Sequence, residues 1–265
     1  MSTATARFDD PLSPRTAHRA RDQRPSLARL TRVELRKMHD TRAGFWLLLS
    51  GLLLTVAVVV IVALTGHASD HTLSNLLNNS VQALNVLLPV VGILLVTSEW
   101  SQRTALLTFT LVPQRGRVLA AKVSASVVLA VVAFVAALAL SAAGTALNPS
   151  GLEGTWSVSA GVLAQTAVFT VISMLIGVAL GSAILVSAPA IVASFVLPLA
   201  FSAVTHLIGG LDGVANWLDQ GESLTALTDH ALSANEWARV GTTLLLWLVL
   251  PLAIGAWRVL RGEIR

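Results

Sequence analysis

Charged residues are missing from five long stretches of this chain. Arg42 to Asp70, Asp70 to Glu99, Lys122 to Glu153, Glu153 to Asp212 and Arg239 to Arg258 enclose no Asp, Glu, Lys or Arg. A hydrocarbon core about 30 Å thick takes roughly 20 apolar residues of helix to cross, at about 1.5 Å per residue. Four stretches fit one such helix each, and the fifth, Thr155 to Leu211, fits two with a turn between them. The pattern predicts an all-α, polytopic membrane protein of six spans: Phe45–Thr65, Val81–Ser98, Val123–Thr145, Gly161–Ser182, Ser187–Ile208 and Val240–Trp257. Ser187-Ala188-Pro189 marks the break between the fourth and fifth spans, because proline suits a helix's first turn and disrupts its interior. Pro89, Pro198 and Pro251 fall inside spans, where neighbouring helices must satisfy the freed carbonyls.

Outside the spans the periodicity changes. From Ser26 to Ala43, Leu27, Leu30, Leu35 and Met38 gather on one helical face and Arg29, Arg32, Arg36 and His39 on the other. This is the pattern of an amphipathic helix lying in the membrane interface just before the first span. Glu34 falls on its apolar side, where an unpaired carboxylate is costly. It either pairs with a basic group from another cytoplasmic element or reaches the headgroup zone. Residues 209–238 carry Trp217, Leu218, Leu224, Leu227, Leu232 and Trp237, which suggest one or two short helices lying on the outer surface. In the fourth span Ser173, Gly177 and Gly181 recur at four-residue spacing, the small-residue stripe along which helix backbones approach closely. Trp46, Trp100, Trp156, Trp237 and Trp257 lie near span ends, as interfacial aromatics do.

Composition agrees. Of 265 residues 54% are hydrophobic and 12% charged, where a soluble domain has about 25% charged. There is no cysteine, hence no disulfide framework, thiolate metal site or cysteine nucleophile. The net charge of +4 does not point to nucleic acid, because the basic residues sort by side of the membrane. Of 18 Lys and Arg, all but Arg239 fall in the N-terminal region, between the second and third spans, or after the sixth. The positive-inside rule places both termini in the cytoplasm, which an even number of crossings allows. Met1 to Pro25 is rich in Arg, Ser, Thr, Pro and Asp and reads as a disordered basic cytoplasmic tail that can lie on anionic lipid headgroups. With so many polar residues ahead of the first apolar run, no cleavable signal peptide is expected.

The charge map also limits the chemistry. A proton- or sodium-driven carrier usually holds an ionisable group near the membrane midplane. The spans offer only His206, near the outer end of the fifth. Intramembrane hydrolysis needs a nucleophile with its base or a metal cluster, and the spans hold neither a Ser-His pair nor a carboxylate pair at workable spacing. A phosphate-binding loop needs lysine then Ser or Thr after a glycine-rich turn. Lys37 precedes Met38 and Lys122 precedes Val123, so no such loop is present. The chain is read as a non-enzyme with no cofactor of its own.

If it moves something uphill, energy enters through another chain. The segment between spans two and three is the place for that: Thr97 or Ser98 caps a short helix whose first turn holds Glu99, Pro113 and Gly116 break it, and Arg115, Arg117 and Lys122 anchor it at the membrane surface. Scattered polar groups, Gln82, Asn85, Gln165, Thr166, Thr170 and His206, interrupt the apolar spans. Gln82, Asn85, Gln165 and Thr170 are candidates to line a cavity suited to an amphiphilic compound rather than an ion or sugar.

Three features in order resemble the permease subunits of ATP-binding-cassette transporters of the type-two exporter class. They are the lead-in Glu34-Leu35-Arg36-Lys37 with Thr41-Arg42 running into Trp46; the stretch Ser98-Glu99, Arg103-Thr104 and Pro113-Gln114-Arg115-Gly116-Arg117 to Lys122 after the second span; and six spans ending in Trp257-Arg258-Val259-Leu260-Arg261. One departure is the turn between spans four and five, Leu185 to Pro189, which lacks the basic residue related permeases often carry there. The resemblance covers residues 26–265 as one transmembrane permease domain. It implies a coupling helix over Glu99 to Thr108 that docks on a separate ATP-binding subunit, with Glu99, Trp100, Arg103, Thr104, Arg115 and Arg117 as the contact. Glu34, Arg36 and Lys37 of the lead-in helix pack beside it. It further implies a second permease chain, the same or different, a plasma-membrane location, and ATP with magnesium on the partner only. Two other readings fit the same residues: a non-transporting scaffold or immunity-type subunit using the same ATPase, and a secondary carrier or passive channel.

Overall fold

A computed structural model describes residues 26–101, 115–208 and 210–261. Six helices in it are long and apolar enough to cross a membrane, and among the described residues there is no strand. Helix α1 (Leu27–Asp40) leads into α2 (Arg42–Thr65). A 3-10 turn at Ala68–His71 precedes α3 (Leu73–Ser101), and α4 (Arg115–Leu147), α5 (Ala160–Ile184) and α6 (Ser187–Leu207) follow. Then come two short helices, α7 (Asp212–Leu218) and α8 (Gln220–Asp229), and the last span. That span is α9 (Ala234–Leu244), a π turn (Leu245–Val249) and α10 (Leu250–Arg261).

Bonds at the two ends of the bundle fix how the helices stand. At one end, called the basic end below, Lys37 of α1 meets Glu99 of α3, Thr97 meets Ser187, and Arg115 of α4 donates to the Val259 carbonyl of α10. At the far end Asn148 donates to the Ala63 carbonyl, Gln82 to Thr228, and Gln165 to the His230 carbonyl. Successive spans therefore run antiparallel.

Helices α3 and α5 form the centre, with 61% and 67% of their apolar windows buried, against 6% for α2. Hydropathy does not make this choice, since lipid tails are as apolar as leucine and helices associate in lipid by close packing. The small residues do. A Cβ on Gly177 would lie 2.1 Å from the Pro89 carbonyl oxygen, one on Gly181 3.0 Å from the Ile93 Cα, and one on Gly92 2.3 Å from the Met174 carbonyl oxygen. The stripe Ser173, Gly177, Gly181 thus lies backbone to backbone against α3. The exposed leucines and valines of α2 face outward. Trp46 and Trp257 at the basic end, and Trp156 and Trp237 at the far end, are exposed.

Several sequence expectations are corrected. The helix that carries the second expected span starts at Leu73, ahead of Val81, because its polar first turns find partners: Asn75 donates to Ser69, Asn78 to Asp229, and Ser80 meets Ser141. The helix that carries the third expected span starts at Arg115, ahead of Val123, so Arg115, Arg117 and Lys122 stand on a helix rather than in a loop. Thr97 caps no new helix. Its hydroxyl donates to Ile93 within α3, which continues through Glu99 and Trp100 to Ser101. The expected break between the fourth and fifth spans is present: the chain turns at Leu185, a left-handed residue at φ 63°, and Val186, and α6 opens at Ser187 with Pro189 in its first turn. Finally, α8 does not lie on the surface. Its Leu224 and Leu227 are buried against the core and Ser223 bonds Thr243, while α7 stays mostly exposed.

Candidate functional site

The feature with most chemical content is a closed ring of four charges at the basic end. It begins with α1, whose first turn is capped by Ser26 accepting from the Arg29 N–H. Glu34 and Lys37, one turn apart, share a face with Met38. Thr41 closes α1 and opens α2, its side chain accepting from the Gly44 N–H. That tight corner requires glycine at 44, where a Cβ would lie 2.1 Å from the Met38 carbonyl oxygen. The corner sets α1 against α3 and α4. From α3 comes Glu99, and from two turns inside α4 comes Lys122.

Lys37 Nζ lies 2.8 Å from Glu34 Oε1 and 2.6 Å from Glu99 Oε1. Lys122 Nζ lies 2.8 Å from Glu34 Oε2, 3.2 Å from Glu99 Oε1 and 3.0 Å from the Leu95 carbonyl oxygen. An ammonium has three protons to donate, and Lys122 has an acceptor for each. Glu34, Glu99 and Lys122 are buried, while 40% of the Lys37 side chain is exposed. Each lysine touches both glutamates, so the ring is neutral, and its members come from three helices. A fully satisfied network of this kind fixes a single arrangement of the elements that carry it. Glu34 therefore takes the first of its two expected roles, with Lys122 as the basic group from another element. Two further bonds tie α10 into the bundle: the Arg115 guanidinium donates to the Val259 carbonyl at 3.2 Å, and Arg258 donates to the Ala183 carbonyl at the end of α5.

Lys37 lies outside the spans, and its pKa is raised above 10.5: burial opposes the ammonium, but hydrogen bonds to Glu34 and Glu99 and their charges outweigh it. A raised pKa in the folded state means that the Lys37 contribution is complete below the unfolded value and is lost as pH climbs through the folded one. Thermal melts of the wild type and Lys37→Gln should differ by a constant margin from neutral pH to about 10, and converge only above that. Convergence below about pH 9 would contradict the pairing.

The other sequence candidates fall as follows. Trp100 is half-buried one residue after Glu99, Arg115 and Arg117 are half-buried in the first turn of α4, and Arg36 is exposed on α1. Arg103, Thr104 and the rest of the expected coupling helix through Thr108 lie outside the described residues, as do residues 1–25 and 262–265. Gln82, Gln165 and Thr170 act between or within helices, donating to Thr228, the His230 carbonyl and the Thr166 carbonyl, and Asn85 is half-buried on α3. None of the four lines the groove of about 240 Å³ between α2, α3 and α4, whose walls include Leu47, Gly51, Thr55, Leu84, Leu88 and Leu129. Sequence reasoning missed Lys122 as a site residue. Its signal is position: a lone lysine seven residues into the helix opened by Arg115, at the edge of an uncharged run, must find its counter-charges inside the bundle. The chain matches no protein-family model and no curated protein sequence.

Proposed function

We propose that this chain is the transmembrane permease subunit of an ATP-driven exporter of the ATP-binding-cassette class. It pairs with a second permease chain and with two separate ATP-binding subunits, and stands in the cell membrane with its basic end and both termini in the cytoplasm. The observation that carries this reading is the charge ring. The segment linking α3 to α4 leaves two residues after Glu99 and returns seven residues before Lys122, so both of its attachments end on the ring. A soluble motor that moves this segment shifts α3 and α4, with α1 held to them by the ring, as one unit against the rest of the bundle. A bundle with two packings, biased by a ligand bound to another chain, is a sound way to move a site between two faces. In this reading Glu99 and Lys122 transmit the movement. The contact with the motor falls to the segment that contains Arg103 and Thr104, flanked by Arg115 and Arg117.

The test is coexpression with a cassette ATPase followed by purification through a tag on this chain. Copurification is expected, together with ATP-dependent uptake of a labelled amphiphile into vesicles carrying the complex, and no hydrolysis by this chain alone. Copurification without uptake favours the scaffold reading. Nucleotide turnover by the isolated chain, or an Arg115→Cys variant labelled only from outside the cell, overturns the proposal.

A further inference from the structure

The sixth span changes register halfway. At its π turn the Leu250 N–H reaches back to the Leu245 carbonyl, and α10 continues from there. The buried residues of the span are Val240, Thr243, Trp247, Gly255 and Val259. In an unbroken α-helix, at about 100° per residue, Thr243 would stand about 60° to one side of Val240, and Val259 about 100° to the other. The buried set would then spread over about 160°. A π turn takes up one extra residue and turns everything after it back by about 100°, which gathers the set within about 60°.

That shared side makes two different contacts. Toward the far end it holds the α7–α8 hairpin. The Thr243 hydroxyl donates to the Trp217 carbonyl at 3.1 Å, and the Trp247 indole N–H donates to the Leu218 carbonyl at 2.9 Å; Thr242, to one side of this set, also donates to Trp217, at 2.8 Å. The Trp247 ring also meets Phe201 of α6 edge-on, with centroids 5.8 Å apart. Toward the basic end the same side seats α10 on α5. A Cβ on Gly255 would lie 2.6 Å from the Ser182 Cβ, so α10 approaches there only with glycine facing α5. Shifting α10 into plain α register would present Ile254 at that place, which the contact forbids. Once α10 leaves α5, that prohibition ends, and the regular i→i−4 bonding of an α-helix is the better-formed alternative.

We propose that span six is a two-position element: seated on α5 with a π turn, or released in straight α register with α10 turned by about 100°. Trp247 is the latch, because its bond to Leu218 ties the turn to the hairpin. The far-end hairpin and the basic-end contacts of Arg258 and Arg115 are thereby joined through one helix. This rests on the geometry of the span alone and holds whether or not the chain is a permease.

The chain has no cysteine, so cysteines at the exposed Val186 and Leu260 take spin labels without background. Distances measured on the full chain in lipid nanodiscs are expected to show a short, seated population and a longer, released one. Trp247→Phe keeps a ring for Phe201 but removes the N–H, and should raise the ratio of long to short about two- to tenfold, as loss of one hydrogen bond allows. Deleting Val249, an exposed residue of the turn, restores alignment in plain α register and should leave the short population alone. That deletion should also keep the melting temperature within about 3 °C of wild type, whereas inserting an alanine after Val249 should lower it further. No long population in either wild type or Trp247→Phe overturns the proposal. So does a deletion as damaging as the insertion.

Discussion

Gly177→Val should be among the most damaging single substitutions in this protein. The added side chain would start 2.1 Å from the Pro89 carbonyl oxygen and 2.6 Å from the Pro89 Cα, and both are backbone atoms of the other central helix. No side-chain rotation relieves such a contact, so α3 and α5 must separate along the most buried interface of the bundle. Overpacking of this kind costs about 3 kcal/mol or more, which lowers the melting temperature by about 6–12 °C. Gly241→Ala is the matching control. Nothing lies within 4 Å of its added Cβ, and alanine is the better helix former by about 1 kcal/mol. Its melting temperature should stay level or rise slightly. If both variants melt like the wild type, the stripe is not where the central helices meet.

Lys122→Met should have a comparable effect for an electrostatic reason. It leaves Glu34 and Glu99 buried with Lys37 as their remaining lysine, and removing one partner of a buried ionic network costs about 3–5 kcal/mol. The loss belongs to the stranded carboxylates rather than to the missing ammonium. Adding Glu99→Gln to Lys122→Met should therefore recover more than half of it, because Lys37 and Glu34 then remain as a matched pair. A thermal double-mutant cycle measures this directly. Strictly additive losses would mean that the two residues do not act on each other.

The spans were legible because hydrocarbon excludes ions: a run of about 20 uncharged residues has few other uses. The lead-in helix from Leu27 was legible through its period. Helix ends were less so. The polar residues Asn75, Asn78 and Ser80 look like a loop until their partners on other segments are known, and the hydroxyl of Thr97 looks like a cap until the helix is seen to run past it. The apolar residues of the α7–α8 segment, Leu224 and Leu227 among them, predicted short helices but not what they pack on; Ser223 and Thr228 meet Thr243 and Gln82 only in the folded bundle.

By itself the sequence determined what depends on solvent: six helices long and apolar enough to cross a membrane. Only the tertiary structure decided which helices are central, that Lys122 closes a ring with Glu34, Lys37 and Glu99, and that the last span needs a π turn. Partition between water and lipid acts on each residue separately and leaves its mark on composition. Close packing and ion pairing act between residues far apart in the chain, such as Glu34 and Lys122 or Pro89 and Gly177, and appear only when the helices stand side by side.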